Sequence, residues 1–317
     1  MKPGLIVAIV FTCPGLALVI GAAAYTRFDF SNIGAQKTES VSYDIDGEFT
    51  SVEIDTELAD VTLLKSEDGA CRLVCDESEK LKYKTEISDG VLRITQNDGR
   101  VFFERWGTWG EKLTATLYLP GDDYDSLKID AGTGDVSVPG NFFFGSAEIT
   151  VSTGDLDFAA SVSGGVTLKS STGEINVGSA KVGSVKITLS TGRLSVGAIE
   201  CDGDITVDGS TGSKSFEGTR CAGFSVTGST GRIELKDVVA SSSIEIRNST
   251  GSVRLEKSDS PDINVKTTTG SVSGTLLTPK TFNTRTSTGS VRVPESSSGG
   301  KCSVETTTGS IRIEIAE

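Results

Sequence analysis

The chain has 317 residues, a net charge of −13 and no histidine. The acidity argues against nucleic acid, whose phosphates require a basic face, and the lack of histidine removes the commonest base for a Ser or Cys nucleophile and a usual zinc ligand. With 37 glycines, 36% hydrophobic and 6% aromatic residues, the composition suits thin β-coils better than one thick core.

The first 27 residues are a different material from the rest. GLIVAIVFTCPGLALVIGAAAY, residues 4–25, is an uncharged apolar run long enough to span a bilayer as a helix. Lys2 in front of it places the remainder of the chain outside. A second reading of the same run stands beside the anchor: Ala22, Ala23 and Ala24 supply the small residues of a signal-peptide cleavage site, which would give a secreted chain. Residues 28–40 form a linker.

Residues 41–130 alternate apolar and polar in segments such as SVEIDTELADVTLL and KLTATLYLP, separated by EDG, SDG and PGDD turns. They read as irregular β rungs that close the N-terminal end of a repeat, since the ends of stacked repeats depart from the pattern. Within them VFFERWGTWG gathers Phe102, Phe103, Trp106 and Trp109 in a glycine-containing loop, either a cap on an apolar end or a contact surface for a protein, glycan or membrane partner. Phe142 to Phe144 invite the same two readings.

From 131 to 317 the phrase Thr-Gly recurs at Gly134, Gly154, Gly173, Gly192, Gly212, Gly231, Gly251, Gly270, Gly289 and Gly309, always 19 or 20 residues apart. Residues two and four after each glycine are mostly apolar, as in Leu156 and Phe158 or Ile175 and Val177. A second apolar pair precedes the next corner, as in Val166 and Leu168. Spacing of two puts each pair on one face of a strand. Neither strand can bury that face alone, so each period must stack on its copies. The spacing therefore predicts an all-β fold, a parallel β-solenoid of about ten rungs with two short strands each, behind an N-terminal transmembrane helix. The glycines are its corners, where the chain needs φ > 0.

Departures from the pattern are few. Lys214 occupies an inward position and is expected to reach out at a local distortion, while Gly274 leaves an inward position unfilled. Cys201 and Cys221 each lie nine residues after a corner, one above the other, where a disulfide and a pair of buried thiols are the two alternatives. Cys302 falls in the inward column of Ile263 and Phe282, and Cys71 and Cys75 lie on one strand face, too far apart to chelate together. Asp135, Asp155 and Glu174 form an outer column that Arg193 and Ser213 interrupt, which reads as a solvated face and not a cation site. SIRIEIAE, the last strand, has no evident cap and leaves an edge open to end-to-end self-association. No residue pattern points to catalysis, a metal or a cofactor.

The anchor, the opening YDIDGEFTSVEIDTELADVTLL and the serial S-T-G-x-apolar-x-apolar rungs resemble the bacterial β-strand-repeat family of unknown function labelled "putative adhesin", in its membrane-anchored Gram-positive form. The resemblance runs from about residue 40 to the end and implies a non-enzymatic surface solenoid, tethered to the membrane and exposed outside, that adheres to or interacts with an envelope protein or a surface glycan. The alternative it implies is an accessory or sensory component of an envelope stress response, acting through a membrane partner.

Overall fold

The computed structural model describes residues 38–99, 113–296 and 298–316, which are strands, turns and bends with no helix among them. The apolar run 4–25 and the aromatic loop with Phe102, Phe103, Trp106 and Trp109 lie outside the described residues.

The strands in chain order begin β1 (Glu39–Ile45), β2 (Ser51–Leu58), β3 (Asp60–Lys65), β4 (Cys71–Glu77), β5 (Leu81–Ser88), β6 (Val91–Asp98) and β7 (Thr114–Leu119). The first regular period is β8 (Asp123–Thr133) and β9 (Val136–Val138). Repeats continue from β10 (Phe143–Thr153) to β22 (Val253–Ser258). The chain ends with β23 (Asp262–Thr269), β24 (Val272–Leu276), β25 (Lys280–Thr288), β26 (Val291–Arg292), β27 (Gly300–Thr308) and β28 (Ile311–Ile315). They make two facing sheets of 14 strands each. The ten predicted corners bound about nine turns of parallel β-solenoid.

Each regular turn differs from the predicted pair of short strands. One strand is long, as in Phe143–Thr153, and its partner across the corner is short, as in Leu156–Phe158. The extra length comes from an apolar column ahead of the two predicted ones, including Val162, Val182, Cys201, Cys221 and Ala240, all buried. Glycines such as Gly145, Gly164 and Gly183 separate that column from the rest, and the ladder shifts register beside them. An added Cβ at these three would strike backbone of the coil beneath.

Away from these shifts, stacking keeps one register from coil to coil. In the short-strand sheet Val136, Leu156, Ile175, Leu194, Lys214, Ile233, Val253, Val272 and Ile311 form one column. Every member is buried. Parallel pairing repeats the same offset at about 4.8 Å per coil, so one apolar position in the period becomes one continuous core row.

The corners hold that register. All ten predicted glycines have positive φ, between 127 and 152°. At each of them a Cβ would overlap the carbonyl oxygen of the corner stacked on it, so a side chain is excluded by backbone and not merely by φ. In nine of them, all but Gly289, the N–H bonds the threonine carbonyl of the adjacent corner, at 2.9 Å for Gly134 to Thr153 and 3.0 Å for Gly154 to Thr172.

Both ends interleave. The sheet orders run β6, β2, β8 and β7, β3, β9 at the start, and β23, β27, β25 and β24, β28, β26 at the finish. The second coil from each terminus therefore lies outside the terminal one. SIRIEIAE is thus no free edge: β28 is flanked by β24 and β26, which corrects the expectation from sequence. Burial explains the order. The inward residues of β27, Cys302, Val304 and Thr306, are fully buried, whereas those of β25, Phe282, Thr284 and Thr286, are only partly so. The more apolar coil takes the inner place. A buried ion pair, Lys280 Nζ to Asp259 Oδ1 at 2.5 Å, ties the start of β25 back across the crossing. The N-terminal end adds antiparallel strands instead, β4 on β7, β1 on β4, and β5 on β6.

Replacing Gly192 by Ala is expected to cost about 2–4 kcal/mol in denaturant unfolding, because both the strained φ and the backbone overlap must be relieved. Gly69→Ala, at φ 75° with open space around it, should cost about 1 kcal/mol. The interleaved order predicts that Asn264→Cys and Ser303→Cys together will form a disulfide on mild oxidation, since the two are register partners outside the core. In a sequential order they would stand two coils, about 10 Å, apart and could not bond.

Candidate functional site

The outer acidic column is structural. Asp60 Oδ1 accepts the N–H of Asp135 at 2.9 Å, Asp135 Oδ1 that of Asp155 at 2.8 Å, and Asp155 Oδ1 that of Glu174 at 2.7 Å. Each carboxylate completes the corner of the neighbouring coil. Further along, serines take over, with Ser310 N–H donating to Ser271 Oγ at 3.2 Å.

A second ladder runs inside. Three residues before each corner, Asn248, Thr267, Thr306 and Thr286 donate to a corner glycine carbonyl: Asn248 Nδ2 to Gly231 at 2.9 Å, Thr267 to Gly251 at 3.4 Å, Thr306 to Gly270 at 3.0 Å and Thr286 to Gly309 at 2.9 Å. These donors satisfy carbonyls that would otherwise be buried unpaired.

Lys214 belongs to this interior. It does not reach out: it pairs in register with Leu194 and Ile233 and is 2% exposed, against the expected distortion. Room for its long side chain comes from Gly209 and Gly228, each of which would put a Cβ close to the amine if replaced. Nζ donates only weakly, to the Gly212 carbonyl at 3.3 Å. Nearby, on the far side of Gly228, Asn248 Oδ1 is buried without a donor. Burial lowers the Lys214 amine below its ordinary value. Gly274, the other departure, is filled by backbone, since a Cβ there would overlap the carbonyl of Leu255.

The cysteines are likewise interior. Cys201 and Cys221 do stack, in the column of Val182 and Ala240, but both are free thiols, so the disulfide alternative is not realised. Burial raises both thiols, Cys221 to about 12, which suppresses thiolate and oxidation alike. Cys71, Cys75 and Cys302 are also buried and free. Phe142 and Phe144 are core, leaving only Phe143 of that trio exposed.

The described surface has one concave feature that sequence reading missed. A groove of about 650 Å³ is lined by Phe49, Tyr124, Gly47, Gly90, Pro120 and the carboxylate residues Glu48 and Asp123, among others. It forms where the turns leading into β2, β6 and β8 meet. Gly90, at φ 73°, and Asp89, at φ 53°, close the hairpin between β5 and β6 on one side. Phe49 stacks on Tyr124 with ring centroids 6.0 Å apart, and Tyr124 on Phe144 at 6.1 Å, so an aromatic row leads from the groove into the core. Tyr124 Oη accepts the N–H of Gly121 at 3.1 Å, fixing the ring. The groove sets the aromatic side chains of Phe49 and Tyr124 beside the carboxylate residues Glu48 and Asp123, a lining that suits a small ring or short polar chain. PGDDY, residues 120–124, carried the turn signal but not the partner turns that complete the wall.

Among the described residues no group of His, Cys, Asp or Glu side chains is placed to hold a metal ion.

Two thiol and amine predictions follow from this interior. Cys201 and Cys221 should resist a small alkylating reagent in the folded chain and both react after unfolding, with no mass change on reduction. For Lys214 the folded value lies below the unfolded one near 10.5, so the unfolded state holds the extra proton and stability rises with pH up to that value. Lys214→Met should therefore unfold at higher denaturant than the parent at pH 7, and the difference should shrink as pH approaches 10.

No curated protein matches the chain. A crystal structure described as a "putative adhesin" from Parabacteroides merdae shares 12% identity over 90% of this chain and 98% of its own, with a TM-score of 0.46. One described as a "putative lipid binding protein" from Parabacteroides distasonis shares 14% over 90% and 98%, with a TM-score of 0.42. A third, a "putative cell adhesion protein" from Clostridium sporogenes, shares 11% over 88% and 100%, with a TM-score of 0.25. These are distant likenesses and carry no functional assignment. The family model for Toastrack DUF4097 matches residues 49–210 and 197–317, so the solenoid with its corner glycines belongs to the Toastrack DUF4097 family.

Proposed function

We propose that this protein is a non-enzymatic interaction protein of the cell surface, tethered to the membrane by residues 4–25 with its β-solenoid outside the cytoplasm. The observation that carries the reading is the exposure of both outer sheet faces. Parallel sheets are ordinarily covered on both sides, yet here each long strand turns alternate residues to solvent, as in Phe143–Thr153 and Asp262–Thr269. Apart from Phe143 and Asn264 those outward residues are charged or hydroxylated, and they stand in straight columns, as Glu148 beside Lys128 and Thr167. Ion pairs between coils, such as Lys169 to Glu148 at 2.8 Å, keep the face ordered. A rigid, repeating polar surface of this kind suits an extended polymer or a protein partner better than a small substrate. The groove at Phe49 and Tyr124 adds a local pocket for a ring of such a polymer.

Intact cells carrying Asp157→Cys, an outward position, should label with a membrane-impermeant maleimide. Purified full-length protein in detergent should bind isolated cell-wall or host-surface glycan preparations, and Phe49→Ala or the pair Trp106→Ala and Trp109→Ala should weaken that binding. A cysteine that labels only after lysis would overturn the location. Labelling on intact cells with no binding to any such preparation would leave the location and remove adhesion.

A further inference from the structure

The two ends of the solenoid are finished differently. At the N-terminal end β4, β1 and β5 add antiparallel strands to the parallel ladders. The outermost coil at the other end is β25 with β26, and among the described residues no strand pairs with its outer edge. This coil keeps the repeat, with a corner at Gly289 whose φ is 149°. Its core row is cut open: Val291 is 44% exposed, and Phe282 and Val293 are only partly covered.

We infer that this edge is a self-association surface whose occupant is the same edge of a second copy, giving a closed tail-to-tail dimer. A row of unpaired backbone donors and acceptors accepts a strand. A two-fold axis normal to the sheets reverses strand direction while keeping each sheet on its own side, so β25 meets β25 antiparallel. The opposite end of the same molecule already shows that coils of this fold take antiparallel neighbours in both sheets. Little charge opposes the contact, Arg292 being the one charged residue of β26. Arg285 is the one charged residue of β25 besides Lys280, and Lys280 is buried against Asp259. The register that pairs all nine residues of Lys280–Thr288 is centred on Thr284, which sets Phe282 opposite Thr286 and Arg285 opposite Asn283 of the partner. The two-fold contact uses this edge of both copies at once, so it closes on itself and does not propagate into fibres.

The test uses the full-length chain in detergent and in its native membrane. Thr284→Cys lies on the two-fold axis, so oxidation should convert it to a covalent dimer, while Thr150→Cys, in the middle of the solenoid, should not exceed the parent chain. Thr284→Lys places two like charges across the axis and should shift sedimentation from dimer to monomer with unchanged circular dichroism. Monomeric parent protein at high concentration would overturn the inference. So would species larger than a dimer, or equal cross-linking at Thr284→Cys and Thr150→Cys, the result expected if residues 1–37 of the same chain cover the edge.

Discussion

Everything in this solenoid depends on one contact, the approach of each corner glycine to the carbonyl oxygen of the corner stacked on it. The space between the two is too small for a Cβ at all ten repeat corners. This closeness sets the coil spacing at the turn equal to that of the flanking strands, so both sheets can run through the same corner without shear. The column also records the chain's order. Gly309 stacks on Gly270 and Gly289 on Gly309, so the swap of the last two coils is written in the corners as well as in the ladders.

Two sets of side chains serve that column. Outside it, Asp60, Asp135 and Asp155 accept the N–H just past the next corner. Inside it, Asn248 and three threonines donate to glycine carbonyls. A thin core has little apolar area to offset a buried, unpaired carbonyl, and these bonds remove that cost where hydroxyls replace aliphatic residues. Lys214 is the exception: a buried amine with a weak acceptor, tolerated because two neighbouring core positions are glycine. It shows that volume is conserved across coils as well as within one, with the long side chain borrowing the space of two absent ones.

Interleaving at the C-terminal end follows from the same economy. A sequential order would leave the most apolar terminal coil half solvated. Moving it one place inward exposes Thr284 and Thr286 in its stead, at the cost of a longer connection, and loop length is a weak term in stability. The ends then differ in what the chain has left to supply: antiparallel strands at the first, an unpaired coil at the last.

Much of this was legible in the residues alone. Period, corner glycines and apolar pairs two apart specify a parallel β-solenoid, because only copies stacked in register bury such short strands. The column containing Cys302 was also readable, since it needs only the offset from a corner, whereas the acidic row read as a solvated face and its bonds to the neighbouring corners are visible only in the stacked coils. What the tertiary structure decided is whatever depends on which coil neighbours which. Sequence order suggested that SIRIEIAE was the edge; relative burial of β25 and β27 placed it inside. Lys214 reads as a misfit along its own strand, and its accommodation is visible only through Gly209 and Gly228 on the facing sheet. The groove at Phe49 and Tyr124 joins turns more than seventy residues apart. A periodic pattern encodes the offset within a coil, but the order of coils at the ends and the meeting of separate turns are set by competition for burial, which no single period contains.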